Sequence, residues 1–227
     1  VTVRTLIVTA VAAEADSVAR GLRHDGPHPH PTADVLVGGV GPAAVAAATA
    51  TALARAATPY GLVVSAGIAG GFQPLAPLGS VVVSDTIVSA DLGAQTPDGY
   101  LTVEELGFGR STHPVAPELT RRISDALARG ERRHTVAPVL TVSTVTGTAE
   151  RAAELAARHP GAAAEAMEGF GVAEAAAAHG VPVVEIRAVS NAVGPRDRAA
   201  WRIGEALESL RHTFQLLSTT VLVEPAP

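Results

Sequence analysis

Three polar residues stand where apolar runs end, and each carries a different chemistry. Glu14 follows VTAVAA, where a strand-like run gives way to a helical pattern. A carboxylate there can take a proton from water. It can equally serve the helix, because the exposed amides of a first turn attract negative charge. Glu168 ends the run AEAM and precedes Gly169 and a helical stretch. Its carboxylate is costly there unless partnered. Vicinal ribose hydroxyls would satisfy it, and Met167 could pack against a sugar face. A helix-starting acid in solvent is the alternative. Asn191 follows VVEIRAVS. Its amide offers donors and an acceptor, which suits a purine edge, although Asn also serves as a cap or turn former.

The segment AGIAGG (residues 66–71) is followed by Phe72, Pro74 and Pro77, so no helix opens behind it as a dinucleotide fingerprint requires. No Gly-Lys-Ser/Thr ends it, so it is not a P-loop. It offers a stretch without bulky side chains where a flat ligand can lie against backbone, or a tightly packed turn. His24, His28 and His30 crowd one Gly/Pro loop, but no HExxH or paired carboxylates accompany them, and we expect a solvated loop and no metal. Ser65, Ser84, Ser143 and Ser190 lack a nucleophile-elbow context.

These residues must be positioned by alternating strands and helices. The apolar runs around 3–11, 35–40, 60–66, 79–88, 137–145, 164–167 and 182–190 read as strands, the fourth as one strand or two short ones. Helical patterns fall at 12–22, 43–57, 117–130, 148–157, 169–179 and within 198–218, with Pro42 well placed in a first turn. Loops are expected at 26–31 and over the long excursion 91–117, which has few periodic signals. The C-terminal PAP is expected to fray. The pattern predicts an α/β protein, a single three-layer α/β/α domain over 1–227 with a central mixed, twisted sheet. In such folds ligands gather beyond strand carboxyl ends, where Glu14, the glycines, Glu168 and Asn191 all fall.

Composition narrows the function. The 227 residues suit one full-sized core, and aromatics at 3% leave it to Ala, Val, Leu and Ile. A net charge of −5 without a basic face argues against nucleic-acid binding. The absence of cysteine excludes disulfides and thiolate chemistry. No apolar stretch reaches a membrane span and no targeting segment is visible, so a cytoplasmic protein without membrane attachment is expected.

Taken in order, TAVAAE (9–14), GVG (39–41), SAGIAGGF (65–72), GSVVVSD (79–85), AD (90–91), TVTGTAE (144–150), AEAMEGFG (164–171) and RAVSNAVGPRDR (187–198) resemble the nucleoside phosphorylase and nucleosidase superfamily. The SNAVGPRDR ending is most similar to the subgroup that hydrolyses futalosine in menaquinone biosynthesis. The resemblance implies a nucleoside phosphorylase-like fold, a small-molecule purine nucleoside as substrate, no cofactor, and a homodimer or larger homo-oligomer. It implies that Glu14 activates water and that Glu168, beside Met167, binds the ribose. Asn191 stands where adenine-specific relatives carry an acid, which favours a 6-oxopurine such as hypoxanthine. Ala69, Gly70, Thr146, Gly147 and Thr148 are expected to line the site. Ala149 replaces the usual aromatic residue, so Phe170, Phe214 or a partner subunit is expected to stack on the base. The rival readings are a nucleosidase for methylthioadenosine, S-adenosylhomocysteine or 6-amino-6-deoxyfutalosine, a phosphorylase using a basic pocket near Arg20 and Arg23, and a non-catalytic nucleoside-binding domain.

Overall fold

A computed structural model describes residues 4–23 and 32–223. The His24/His28/His30 loop and the C-terminal tail lie outside the described residues. In chain order the elements are β1 (Thr5–Thr9), α1 (Ala12–Leu22), β2 (Ala33–Val37), α2 (Pro42–Arg55), β3 (Leu62–Gly71), β4 (Val81–Ser89), β5 (Gly93–Thr96), β6 (Gly99–Thr102), β7 (Thr112–Pro114), α3 (Pro117–Arg129), β8 (His134–Thr141), α4 (Ala149–Arg158), β9 (Ala164–Ala166), α5 (Gly169–Ala178), β10 (Val183–Ala192) and α6 (Ile203–Ser218). Single 3-10 turns occupy Arg198–Ala200 and Val221–Val223.

The main sheet is mixed and runs β10-β4-β8-β9-β3-β1-β2, with β7 added beside β4. Because β3 also pairs with β10, five strands close on themselves and β1 and β2 extend outward from β3. Apolar residues on both strand faces explain the layering. Ile7, Leu62 and Val64 join Val18 and Leu22 of α1, Ile123 of α3 and Leu210 and Phe214 of α6 in the largest core cluster. Their strand neighbours Leu6, Val8 and Val63 point the other way, to Val45 of α2 and Val172 and Ala176 of α5. The result is the three-layer α/β/α arrangement expected from the alternation of patterns. Among the described residues, no helix is long and apolar enough to cross a membrane.

Three features depart from the sequence reading or refine it. The glycine-rich segment after residue 66 is no turn; it continues β3 to Gly71. Pairing holds it extended, with β10 alongside from Val183↔Val63 to Ala192↔Gly71 and β9 joining at Gly70 and Gly71. The stretch around Ser84 and Asp85 is one strand, interrupted by a register shift between Ser84 and Ile87 where it pairs with β8. The excursion at 91–117 holds a separate two-stranded hairpin, β5–β6, and the short β7.

Candidate active site

The decisive local feature is a gap in strand pairing. β1 pairs with β3 only as far as Ser65, and β9 takes the same edge only from Gly70. Between them the Ile68 amide has no strand partner on that side. It donates instead to Glu14 Oε1 at 2.9 Å. Glu14 lies in the first turn of α1, and its Oε2 accepts from the amides of Ala10 (3.0 Å) and Val11 (3.3 Å). The capping role is therefore real, and it also places a buried carboxylate on the wall of a cavity. A charged acceptor held by three amides is strongly fixed.

Glu168 is the N-cap residue of α5. Its Oε1 accepts from the Gly41 amide and its Oε2 from the Met167 amide, both at 3.3 Å. Oε2 is also 3.3 Å from Arg187 Nη2. Arg187 lies on β10, almost fully buried, with Nη2 donating to Ser65 Oγ at 3.2 Å. Burial alone would lower its pKa, but the surrounding carboxylates of Glu185, Glu168 and Glu14 outweigh that and raise it. Arg187 Nη1 and Glu14 Oε1 both approach Gly67, where an added Cβ would stand 2.5 and 2.6 Å from them. Only glycine fits at that point.

Asn191 sits where β10 shifts register against β3, between Val189 and Asn191. Such irregularities re-aim a side chain. The Asn191 amide oxygen accepts from Ser190 Oγ at 2.8 Å and its nitrogen donates to the Ala192 carbonyl at 3.0 Å. Opposite, the Thr146 amide donates to Glu165 Oε1 at 2.9 Å, and the Thr146 hydroxyl bonds the other oxygen. Burial pushes the Glu165 carboxyl above its ordinary pKa, against the opposing pull of the Thr146 bonds.

One cavity of about 230 Å³ brings these groups together. Of the residues singled out in the sequence, Glu14, Ala69, Gly70, Thr146, Met167, Glu168 and Asn191 line it. Four do not. Gly147 is absent from its walls, and Thr148 is spent as the N-cap of α4, accepting from the Arg151 amide at 3.2 Å. Phe170 faces a different, more open cavity with Leu92, Phe108 and Glu174, and its ring lies 5.2 Å from that of His113. Phe214 is 0% exposed in the core between α1 and α6 and cannot reach a base. Among the described residues the one aromatic residue on the wall is Trp201, which the sequence reading missed. Its signal was its rarity, as the single Trp of an aromatic-poor chain. Glu165 was also missed, although an acid within the apolar run GAAAEAM is itself conspicuous. Among the described residues the lining contains no Lys, Arg or His. Among the described residues no group of three or more His, Cys, Asp or Glu could hold a metal ion.

The chain belongs to the phosphorylase superfamily, whose family pattern matches residues 31–222. Futalosine hydrolase from Streptomyces coelicolor is 61% identical over 219 residues, covering 90% of this chain and 91% of that protein. Futalosine hydrolase from Acidothermus cellulolyticus is 49% identical over 225 residues, covering 95% and 90%. The chain belongs to the futalosine hydrolase branch of this superfamily. Among solved structures, the S-adenosylhomocysteine nucleosidase from Streptococcus pyogenes in complex with 5-methylthiotubericidin superposes with a TM-score of 0.80 at 18% identity, covering 99% of this chain and 98% of that one. The 5′-methylthioadenosine/S-adenosylhomocysteine nucleosidase from Neisseria meningitidis in complex with methylthio-immucillin-A gives 0.78 at 17%, covering 95% and 99%. At these identities the likeness is one of fold.

Proposed function

We propose that this protein hydrolyses the N-glycosidic bond of futalosine, releasing hypoxanthine, with Glu14 as the base that activates water. The observation that carries the assignment is the convergence of two buried, fixed carboxylates and one amide on a single cavity. In the reaction the bond between C1′ and the purine breaks with its electron pair leaving on the base, and positive charge develops on the ribose. Glu14 orients a water on the face of C1′ away from the purine and takes its proton as the oxygen adds. Glu168 accepts hydrogen bonds from the ribose hydroxyls, and its charge stabilises the developing cation. Met167 packs beside the sugar. Asn191 donates to the departing purine at N7 or the 6-oxo group; an amide cannot serve as an acid there, which fits a 6-oxopurine better than adenine. Trp201 supplies the aromatic surface, with Ala69, Gly70 and Thr146 around the base.

Hydrolysis is favoured over phosphorolysis by the cavity walls. A phosphate co-substrate needs cationic partners, and among the described residues the lining offers none. Arg20 turns to Ser17 and to the carbonyl of Asp16 on its own helix, away from the cavity. The test is purified protein with futalosine in phosphate-free buffer, followed by chromatography for hypoxanthine, with methylthioadenosine and 6-amino-6-deoxyfutalosine in parallel. Fast hypoxanthine release is the expected result. A rate that requires phosphate, or adenine release alone, overturns the assignment. The homo-oligomer implied by the resemblance belongs to the same proposal, and light scattering checks it.

A further inference from the structure

Behind the cavity wall lies a carboxylate that the mechanism does not use. Glu185 on β10 is 0% exposed and does not line the cavity. Its Oε1 accepts from Arg187 Nε at 2.7 Å, and its own amide donates to Ser84 Oγ at 2.8 Å. Its Oε2 has no hydrogen-bond partner among the described residues. The carboxylate is wedged against Gly169, where an added Cβ would stand 1.9 Å from Oε2, so the start of α5 is shaped around it.

Such a group is expensive. A buried carboxylate with an oxygen unsatisfied costs stability, and buried ion pairs are often matched or bettered by apolar residues of similar size. What it holds explains its presence. Arg187 reaches outward from Glu185 with Nη2 on Glu168, while Nη1 and Glu14 Oε1 converge on the space above Gly67. Without the anchor on Nε, only the Ser65 hydroxyl would hold the guanidinium against a shift toward either carboxylate. We propose that Glu185 is a positioning residue that anchors Arg187 as a fixed spacer between Glu14 and Glu168. The inference rests on the roles proposed above for those two glutamates. The charged groups facing Arg187 are Glu185 on its own strand, Glu168 at the start of α5 and Glu14 on α1.

The test compares two replacements of similar size. Glu185→Leu fills the space without an acceptor, and Glu185→Gln keeps an amide oxygen for Arg187 Nε. Futalosine hydrolysis and Tm are measured for both, beside Glu14→Gln and Glu168→Gln. The expected result is a loss of about 100-fold in Glu185→Leu, falling on kcat more than on KM, since a displacement of about 1 Å at the reacting groups has that effect. Glu185→Gln should recover to within about tenfold of the parent rate. A space-filling role makes the two variants equal, and wild-type kcat in Glu185→Leu overturns the inference. Should Glu185→Leu not fold, Glu185→Met, of similar length and also without an oxygen acceptor, takes its place in the same comparison with the same two outcomes. Activity retained in Glu14→Gln and Glu168→Gln would instead remove the roles on which it rests.

Discussion

The two ends of the cavity are built differently. At the end assigned to the ribose, Glu14 is held by amides of β3 and of the turn before α1, and Glu168 by the Gly41 amide before α2 and by Arg187, with Glu185 behind Arg187. At the end assigned to the base, the Asn191 side chain bonds, among the described residues, to Ser190 and Ala192 beside it in sequence. Trp201 follows a single 3-10 turn, with the guanidinium groups of Arg196 and Arg198 at 5.5 and 5.8 Å from its ring centroid. Under the roles proposed above, glycoside cleavage falls to a wall held by many bonds, and the choice of base to side chains that few bonds hold. A substitution at the first end is felt as rate; one at the second is felt as specificity or affinity.

The largest effect expected from that division is at Glu14. Glu14→Gln keeps the shape but removes the base, and kcat for hypoxanthine release should fall by about 10³-fold or more, the upper range for general-base catalysis. Next comes Gly67→Ala. Its Cβ would press on both Arg187 Nη1 and Glu14 Oε1. A loss of about 100-fold in kcat with KM little changed is expected from steady-state kinetics. Equal falls in rate and affinity there would show that the wall is less rigid than its bonding implies.

At the base end, Asn191→Asp should change the ratio of futalosine to methylthioadenosine turnover by at least about tenfold, because a protonated carboxyl can act as an acid toward adenine. Parallel assays of hypoxanthine and adenine release read this directly, and an unchanged ratio removes Asn191 from base selection. Trp201→Ala should raise KM by about tenfold with a smaller change in kcat, the scale of one lost stacking contact. A pure kcat effect would make Trp201 part of the reacting wall instead.

The same division decides how much could be read from the sequence. The layered fold was legible because β1, β3 and β4 are built on runs apolar on both faces and helical patterns separate them. That Glu14, Glu168 and Asn191 meet at one cavity was legible because each ends an apolar run. The closure of the sheet through β3 and β10 was not, since pairing between distant strands leaves no local mark. The continuation of β3 through its glycines was not legible for the same reason: what holds them extended is the partner strands. The hairpin β5–β6, four residues a side and largely exposed, buries too little to leave a pattern. Phe170 and Phe214 were proposed as stacking residues from their type alone, and tertiary packing placed one on another face and one in the core. Glu185 and Arg187 did carry a signal. An acid and a base two apart in VVEIRAVS share one face of a buried strand, which demands that they pair.

The smallest effect tests whether Glu165 belongs to the soft end merely as a brace. Burial raises its pKa above the ordinary carboxylate value of 4.5, so the native protein holds this proton more tightly than the unfolded chain. The associated stability is fully present below about pH 4.5 and is lost as pH rises through the native pKa. Glu165→Gln remains neutral throughout. Its amide oxygen can still accept from the Thr146 amide, and its NH₂ can donate to the Thr146 hydroxyl. Thermal melts should therefore show no difference from the parent in acid and a growing advantage for the variant toward neutral pH, with kcat little altered. A variant that is less stable at neutral pH would mean that the ionised carboxylate is itself needed to hold the Thr146 loop. A variant that melts normally but loses turnover would move Glu165 from bracing the base end to contacting the base.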